Sequence, residues 1–208
     1  MSAWPALHLT PSDPDPETPE DQRTLLVADR FRDVMQALGL DLEDPNLAGT
    51  PLRVARSYRE LFAGLDPATE PVLRTFPNAE GYSQIVAVTD IRFHSVCAHH
   101  FLPFFGTAHV AYLPKDRVVG LSKLARIVEH YARRPQIQER LTEQVIELLE
   151  TRLRPAGAMV VVQARHMCME MRGVGQPGAT TRTSAWRGAF ADARTRQEFL
   201  DLLPKSAP

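Results

Sequence analysis

The chain has 208 residues, 44% of them hydrophobic and 24% charged. These values suit one globular domain with at most an appendage, and they exclude wholesale disorder. Two cysteines, Cys97 and Cys168, exclude a disulfide-rich scaffold, and no apolar run approaches the roughly 18 residues of a membrane span. The formal net charge of −1 conceals an asymmetry: residues 1–50 hold three Arg against ten Asp and Glu, residues 51–208 hold 21 Lys and Arg against 15 Asp and Glu. A basic part suits an anionic small molecule or a nucleic acid, or is simply a solvated face.

In chain order, residues 1–19 are acidic and proline-rich and read as a disordered tail. They lack the basic start and apolar run of a signal peptide, so a cytoplasmic location is expected. Residues 20–80 read as an N-terminal helical region. Val27, Phe31, Val34 and Leu38 recur at helical spacing from Pro19 to Leu40, with Gly39 as a stop. A second helix is expected to open with Thr50 as cap and Pro51 at its first position, and to reach about Phe62.

Residues 81–208 have a different texture. Ser83–Val96 is rich in Val, Ile and Phe, and Ile91 and Phe93 alternate with Arg92 and His94 as in a half-buried strand. Pro103–Leu113 reads as a second strand, with Cys97–Leu102 as the connection. Two helices follow, one with Leu121, Leu124, Val128 and Tyr131 on a face, the other with Leu141, Val145, Leu148, Leu149 and Leu153. Met159–Met169 and Thr180–Phe190 read as strands, and Asp192–Leu203 as a closing helix. Segregated pairs of strands and helices predict an α+β fold with an antiparallel sheet.

The chemistry concentrates in a few strings. Cys97-Ala98-His99-His100 places a thiol and two imidazoles within four residues, and His166-Met167-Cys168 places another pair two apart. Residues two apart on a strand share a face, so His166 and Cys168 are expected to project together on the side of Val160 and Val162. A lone buried Cys is usually an inert core residue, but here both lie within two residues of a histidine. If the two strings meet, two thiolates and an imidazole converge, and three protein ligands with a fourth position open is the pattern of a catalytic zinc site. In Gly120-Leu121-Ser122-Lys123-Leu124-Ala125-Arg126, Ser122 stands where an N-cap is expected and Lys123 and Arg126 cluster on the first turn. That makes a candidate phosphate site or an ordinary capped helix with surface basics. Glu139, beside Gln138, could accept two parallel N–H bonds from a guanidinium-like edge, or simply favour a helix dipole.

Together these strings resemble the GTP cyclohydrolase I family. They are Ser95-Val96-Cys97-Ala98-His99-His100-Phe101, Gly120 to Arg126, Gln138-Glu139-Arg140-Leu141-Thr142, Arg154-Pro155-Ala156-Gly157, His166-Met167-Cys168-Met169 and Arg172-Gly173, in family order over about residues 20–203. The resemblance implies the tunnelling fold: a four-stranded antiparallel sheet with two antiparallel helices on one face, preceded by N-terminal helices. It implies a homo-oligomer, typically a toroidal decamer, with active sites at subunit interfaces. By position, it implies Cys97, His100 and Cys168 as ligands of Zn2+, and His99 and His166 as catalytic imidazoles. Ser122, Lys123, Arg126 and Arg172 would contact the triphosphate and ribose, and Gln138 and Glu139 the guanine. The implied reaction opens the imidazole ring of GTP to give 7,8-dihydroneopterin triphosphate and formate. Neither nucleic acid nor membrane is expected as a partner, since the basic residues cluster by motif without interleaved aromatics and no apolar run is long enough to span a bilayer. Ala98 stands where the family usually has an acid, which could alter charge near the metal. Two other readings stay open on these strings: a nucleotide-binding module without turnover, and another tunnelling-fold pterin or purine enzyme.

Overall fold

The computed structural model describes residues 19–204. The tail expected over 1–19 therefore lies outside the described residues except for Pro19, which starts a helix. Among the described residues, those up to Glu60 form one compact unit and those from Leu61 on form another.

In the first unit, α1 (Pro19–Ala37) and α2 (Thr50–Leu61) are joined by a loop. Ala28, Leu52 and Ala55 form their buried cluster, with Leu25 packed against it. The stripe expected to be buried on α1 is not the buried one. Val27, Val34 and Leu38 are exposed, Leu38 to 70%, whereas Thr24, Ala28 and Met35 are buried. Small side chains explain the choice, because Ala28 and Ala55 let two helices approach where larger residues would hold them apart.

The second unit is built on a sheet that, among the described residues, has five strands in the order β5-β2-β3-β6-β7. These are β2 (Val86–Cys97), β3 (Pro103–Leu113), β5 (Pro135–Gln136), β6 (Gly157–His166) and β7 (Thr180–Gly188). The four long strands pair antiparallel. The two-residue β5 pairs parallel with the end of β2, which the expected four-stranded sheet did not include. A separate ribbon pairs β1 (Thr75–Pro77) with β4 (Arg117–Val119).

Two helices, α3 (Leu121–Ala132) and α4 (Gln138–Leu153), share one core with the sheet. Into it go Leu124, Ile127 and Val128 from α3, all five expected residues of α4, and Val110, Val160 and Val162 from the strands. Leu121 departs from expectation and is 57% exposed. A helical side chain lies over the turn before its own Cα, and the first helical residue has no such turn. A smaller cluster of Ala111, Met159, Phe190 and Phe199 forms where a 3-10 turn (Ala189–Ala191) and α6 (Ala193–Leu202) close the chain.

Two local irregularities shape the sheet. Val88 pairs with Val110 but Ile91 with Ala108, so Thr89 and Asp90 together oppose His109. Asp90 takes a left-handed φ of 56°, and its N–H donates to His109 Nδ1 at 3.2 Å. The second is at the end of β6. The strand expected to run to Met169 stops at His166, and Met167–Glu170 form a single helical turn, α5. Arg165 brackets this turn by a two-pronged ion pair with Glu170, its Nε 2.8 Å from Oε1.

Candidate metal centre and active site

At one end of the sheet the last residue of β2, the turn after it and the turn after β6 come together. The Cys97 N–H donates to the Leu102 carbonyl at 2.8 Å, and the Phe101 N–H to the Cys97 carbonyl at 2.9 Å. Phe101 takes a left-handed φ of 55° to close this loop. The Ala98 N–H donates to the Gln136 carbonyl at 2.9 Å, so β5 buttresses the turn. Cys97 is 6% exposed, while His99 and His100 are exposed.

The ligand atoms of Cys97, His100 and Cys168 all lie within 4.8 Å of one another. Cys97 Sγ is 3.7 Å from His100 Nδ1. A tetrahedral zinc ion, with bonds of about 2.3 Å to sulfur and about 2.0 Å to nitrogen, holds its donors roughly 3.5–3.8 Å apart. Two thiolates and an imidazole also suit zinc far better than calcium or magnesium. Burial and then the neighbouring Cys97 thiol push the Cys168 thiol up from its ordinary pKa, and Arg172 opposes them. A cation between the thiols would remove that repulsion.

The expected route for Cys168 was wrong in detail. It lies in α5 and not on a strand, so it reaches the cluster because the chain turns after His166. His166 does end the strand on the core face: its ring stacks on Phe104, with centroids 4.7 Å apart and planes within 3°. Burial pushes the His166 imidazole down from its ordinary pKa, and Glu139 opposes. Its Nε2 lies 2.8 Å from Gln138 Oε1. Gln138, the first residue of α4, is 1% exposed, whereas Glu139 beside it is exposed. His99 stands at the rim, its ring edge-on to His100 at 6.2 Å between centroids.

Ser122 and Lys123 are not brought to this group. The N-cap of α3 is Gly120, with no side-chain hydrogen bond, so Ser122 does not fill the capping place expected for it. This end of α3 follows Val119, whose N–H donates to the Tyr112 hydroxyl. The other end lies by the cysteine turn, where Ser95 Oγ donates to the Ala132 carbonyl at 2.7 Å and Val96 pairs with Pro135. Ten residues of helix, about 15 Å, separate Ser122 from Ala132. Arg126, one turn along, lines a cavity of about 430 Å³ with Thr69, Glu129 and Arg133. One chain thus gathers Cys97, His99, His100, Gln138, His166, Cys168 and Arg172 at one end, and carries Ser122 and Lys123 at the other.

Fold and site together define an α+β protein in which Cys97, His100 and Cys168 form a group of three donors that could hold a metal ion. A model of the family described as GTP cyclohydrolase I matches residues 27–204. The GTP cyclohydrolase 1 of Thermobifida fusca is 52% identical over 175 residues, 83% of this chain and 84% of that protein. Those of Rhodopirellula baltica and Listeria monocytogenes are 52% and 50% identical over 179 residues, 85% of this chain and 77% and 94% of theirs. An archaeosine synthase QueF-like structure aligns with a TM-score of 0.41 at 20% identity, over 51% of this chain and 95% of that one, a likeness too distant to bear on the fold. The chain belongs to the GTP cyclohydrolase I family.

Proposed function

We propose that the protein hydrolyses GTP to 7,8-dihydroneopterin triphosphate and formate as a zinc enzyme of folate and tetrahydropterin biosynthesis. The observation that carries this reading is the convergence of Cys97, His100 and Cys168 within 4.8 Å, in a member of the family. Zinc, when bound there, supplies a Lewis acid that makes water nucleophilic near neutral pH. His166 and His99 hold and move protons during ring opening, a task suited to imidazole because its ordinary pKa is ~6.5. Glu139 is exposed at the start of α4 and can accept two parallel N–H bonds from the guanine edge, with Gln138 beside it in the pair that the resemblance assigns to the base. Ser122, Lys123, Arg126 and Arg172 bind the triphosphate and ribose. The first turn of α3 lacks a side-chain cap, and the positive end of the helix dipole there favours an anion.

Because Ser122 and Lys123 lie at the far end of the sheet from His166, one complete site draws on two copies of the chain. We take the assembly to be a closed homo-oligomer of tunnelling-fold subunits, a toroidal decamer, in the cytoplasm.

Zinc-loaded protein incubated with GTP should release formate and a fluorescent pterin. No product with the metal fully loaded would sink the reading, and tight GTP binding without formate would make the protein a binding module. Cys168→Ser should lose zinc and turnover together. His166→Ala should keep zinc and lose about 10²–10⁴-fold in kcat.

A further inference from the structure

We infer that Gln138 is a positioning residue for His166: it fixes the tautomer of the ring and leaves Nδ1 as the nitrogen that exchanges a proton with the substrate. The inference rests on the reading that His166 acts on GTP, and it replaces base recognition as the part played by Gln138.

The hydrogen bonds around Gln138 have only one consistent direction. Its Nε2 lies 3.1 Å from the Val162 carbonyl and 3.1 Å from the Thr181 carbonyl. A backbone carbonyl only accepts, so the atom facing both must be the amide nitrogen. The hydroxyls agree. Thr142 Oγ1 donates to the Gln138 carbonyl at 2.9 Å. Its remaining contact, 2.7 Å to Thr183 Oγ1, must then take the Thr183 proton. Thr183 Oγ1 therefore offers a lone pair to Gln138 Nε2 at 3.2 Å. With its nitrogen so committed, the carboxamide presents Oε1 to His166, and an amide oxygen only accepts. His166 Nε2 must carry the hydrogen in the 2.8 Å contact, whether the ring is neutral or cationic.

Two consequences follow for the reaction. Nδ1 is the only ring nitrogen left to gain or lose a proton, so any proton His166 gives to the opening ring leaves from Nδ1. The ring plane is held as well, by Phe104 stacked on one side. Gln138, 1% exposed and with both ends of its carboxamide engaged, has no free edge for a guanine.

Neutron diffraction from crystals of the zinc-loaded protein grown in heavy water reads the tautomer directly. Deuterium on His166 Nε2, aimed at Gln138 Oε1, is the expected result. A bare Nε2 overturns the inference. In solution, Gln138→Met should lower kcat about 10²-fold or more while zinc content and the KM for GTP stay at the wild-type level. A raised KM with kcat retained would give Gln138 to the base and overturn the inference too. The neutron measurement needs no variant, so a Gln138→Met chain that fails to fold leaves the test standing. It also needs no turnover: a wild type that releases no formate defeats the cyclohydrolase reading, while the proton position still decides for or against Gln138.

Discussion

His109 and His130 are each built into the fold as neutral imidazoles. His130 receives a hydrogen bond from Arg134 Nη2 at Nε2, 2.6 Å away, and a guanidinium only donates, so that nitrogen is bare. Its Nδ1 faces Thr69 Oγ1 at 3.1 Å, whose own proton goes to backbone carbonyls. Burial first, then Arg134, push its pKa down, with Glu70 opposing. His109 accepts from the Asp90 N–H, and burial pushes it down against the pull of Asp90. A lowered folded pKa means that the unfolded chain binds protons first as pH falls below ~6.5. The stability these groups contribute is thus present above that pH and lost on acidification toward their folded values. The urea midpoint should be lower at pH 5.5 than at pH 7.5, and His130→Asn should reduce the difference without abolishing it, since His109 and His166 are also held low. Equal midpoints for the wild type would refute this. The carboxylates held low, Glu170 by Arg165 and Asp192 by backbone N–H groups, act below this window.

At the scale of elements, packing makes the two helices and the sheet one body. Leu149 is fully buried in the core beneath α4, so Leu149→Ala should cost about 2–5 kcal/mol in chemical denaturation. Gly106 on β3 is there for a different reason. A Cβ at that position would lie 1.9 Å from the Gln163 carbonyl oxygen, which pushes β6 away from β3. Gly106→Ala should therefore destabilise the fold and loosen His166, which pairs with Phe104 two residues away. Much of this is legible in the sequence: β3 has the bounds expected for it, Pro103–Leu113, and the buried face of α4 follows from the spacing of its apolar residues. Periodicity could not reveal where a strand turns into a helix. His166 and Cys168 look like one continuous strand face because Met167 and Met169 are as compatible with a sheet as with a helical turn. The bracket that decides, Arg165 to Glu170, is a pair of ordinary charges in a sequence. Gln138 is legible as a helix-start residue and, through the resemblance, as one of a guanine-binding pair, but not as a partner of His166, because its other partners are backbone carbonyls of strands 24 and 43 positions away.

For the whole molecule, the separation of Ser122 and Lys123 from His166 makes the assembly testable by mixing. Lys123→Ala and His166→Ala chains should each be inactive for formate release. When they are denatured and refolded together, roughly a quarter of interfaces should pair an intact Lys123 with an intact His166 and recover activity. No recovery in mixed oligomers would mean that one chain completes its own site. The metal-ligand strings were legible because their residue types are chemically rare. The distance between the two halves of the site was not, since it depends on which way α3 runs along the sheet.

The bulge at Asp90 has a consequence for the metal centre seven residues away. Val86 and Val88, before it, pack against the main core, and so do Ile91, Phe93 and Cys97, after it. Side chains on a strand alternate, so even-numbered and odd-numbered residues cannot share a face unless one extra residue intervenes. The extra residue sets the parity of everything downstream. A chain shortened by one residue at this point could keep its valines inside only by turning the Cys97 thiol to the opposite side of the sheet from Cys168. The ligand geometry is in this sense counted out along β2 from an irregularity that carries no metal chemistry of its own.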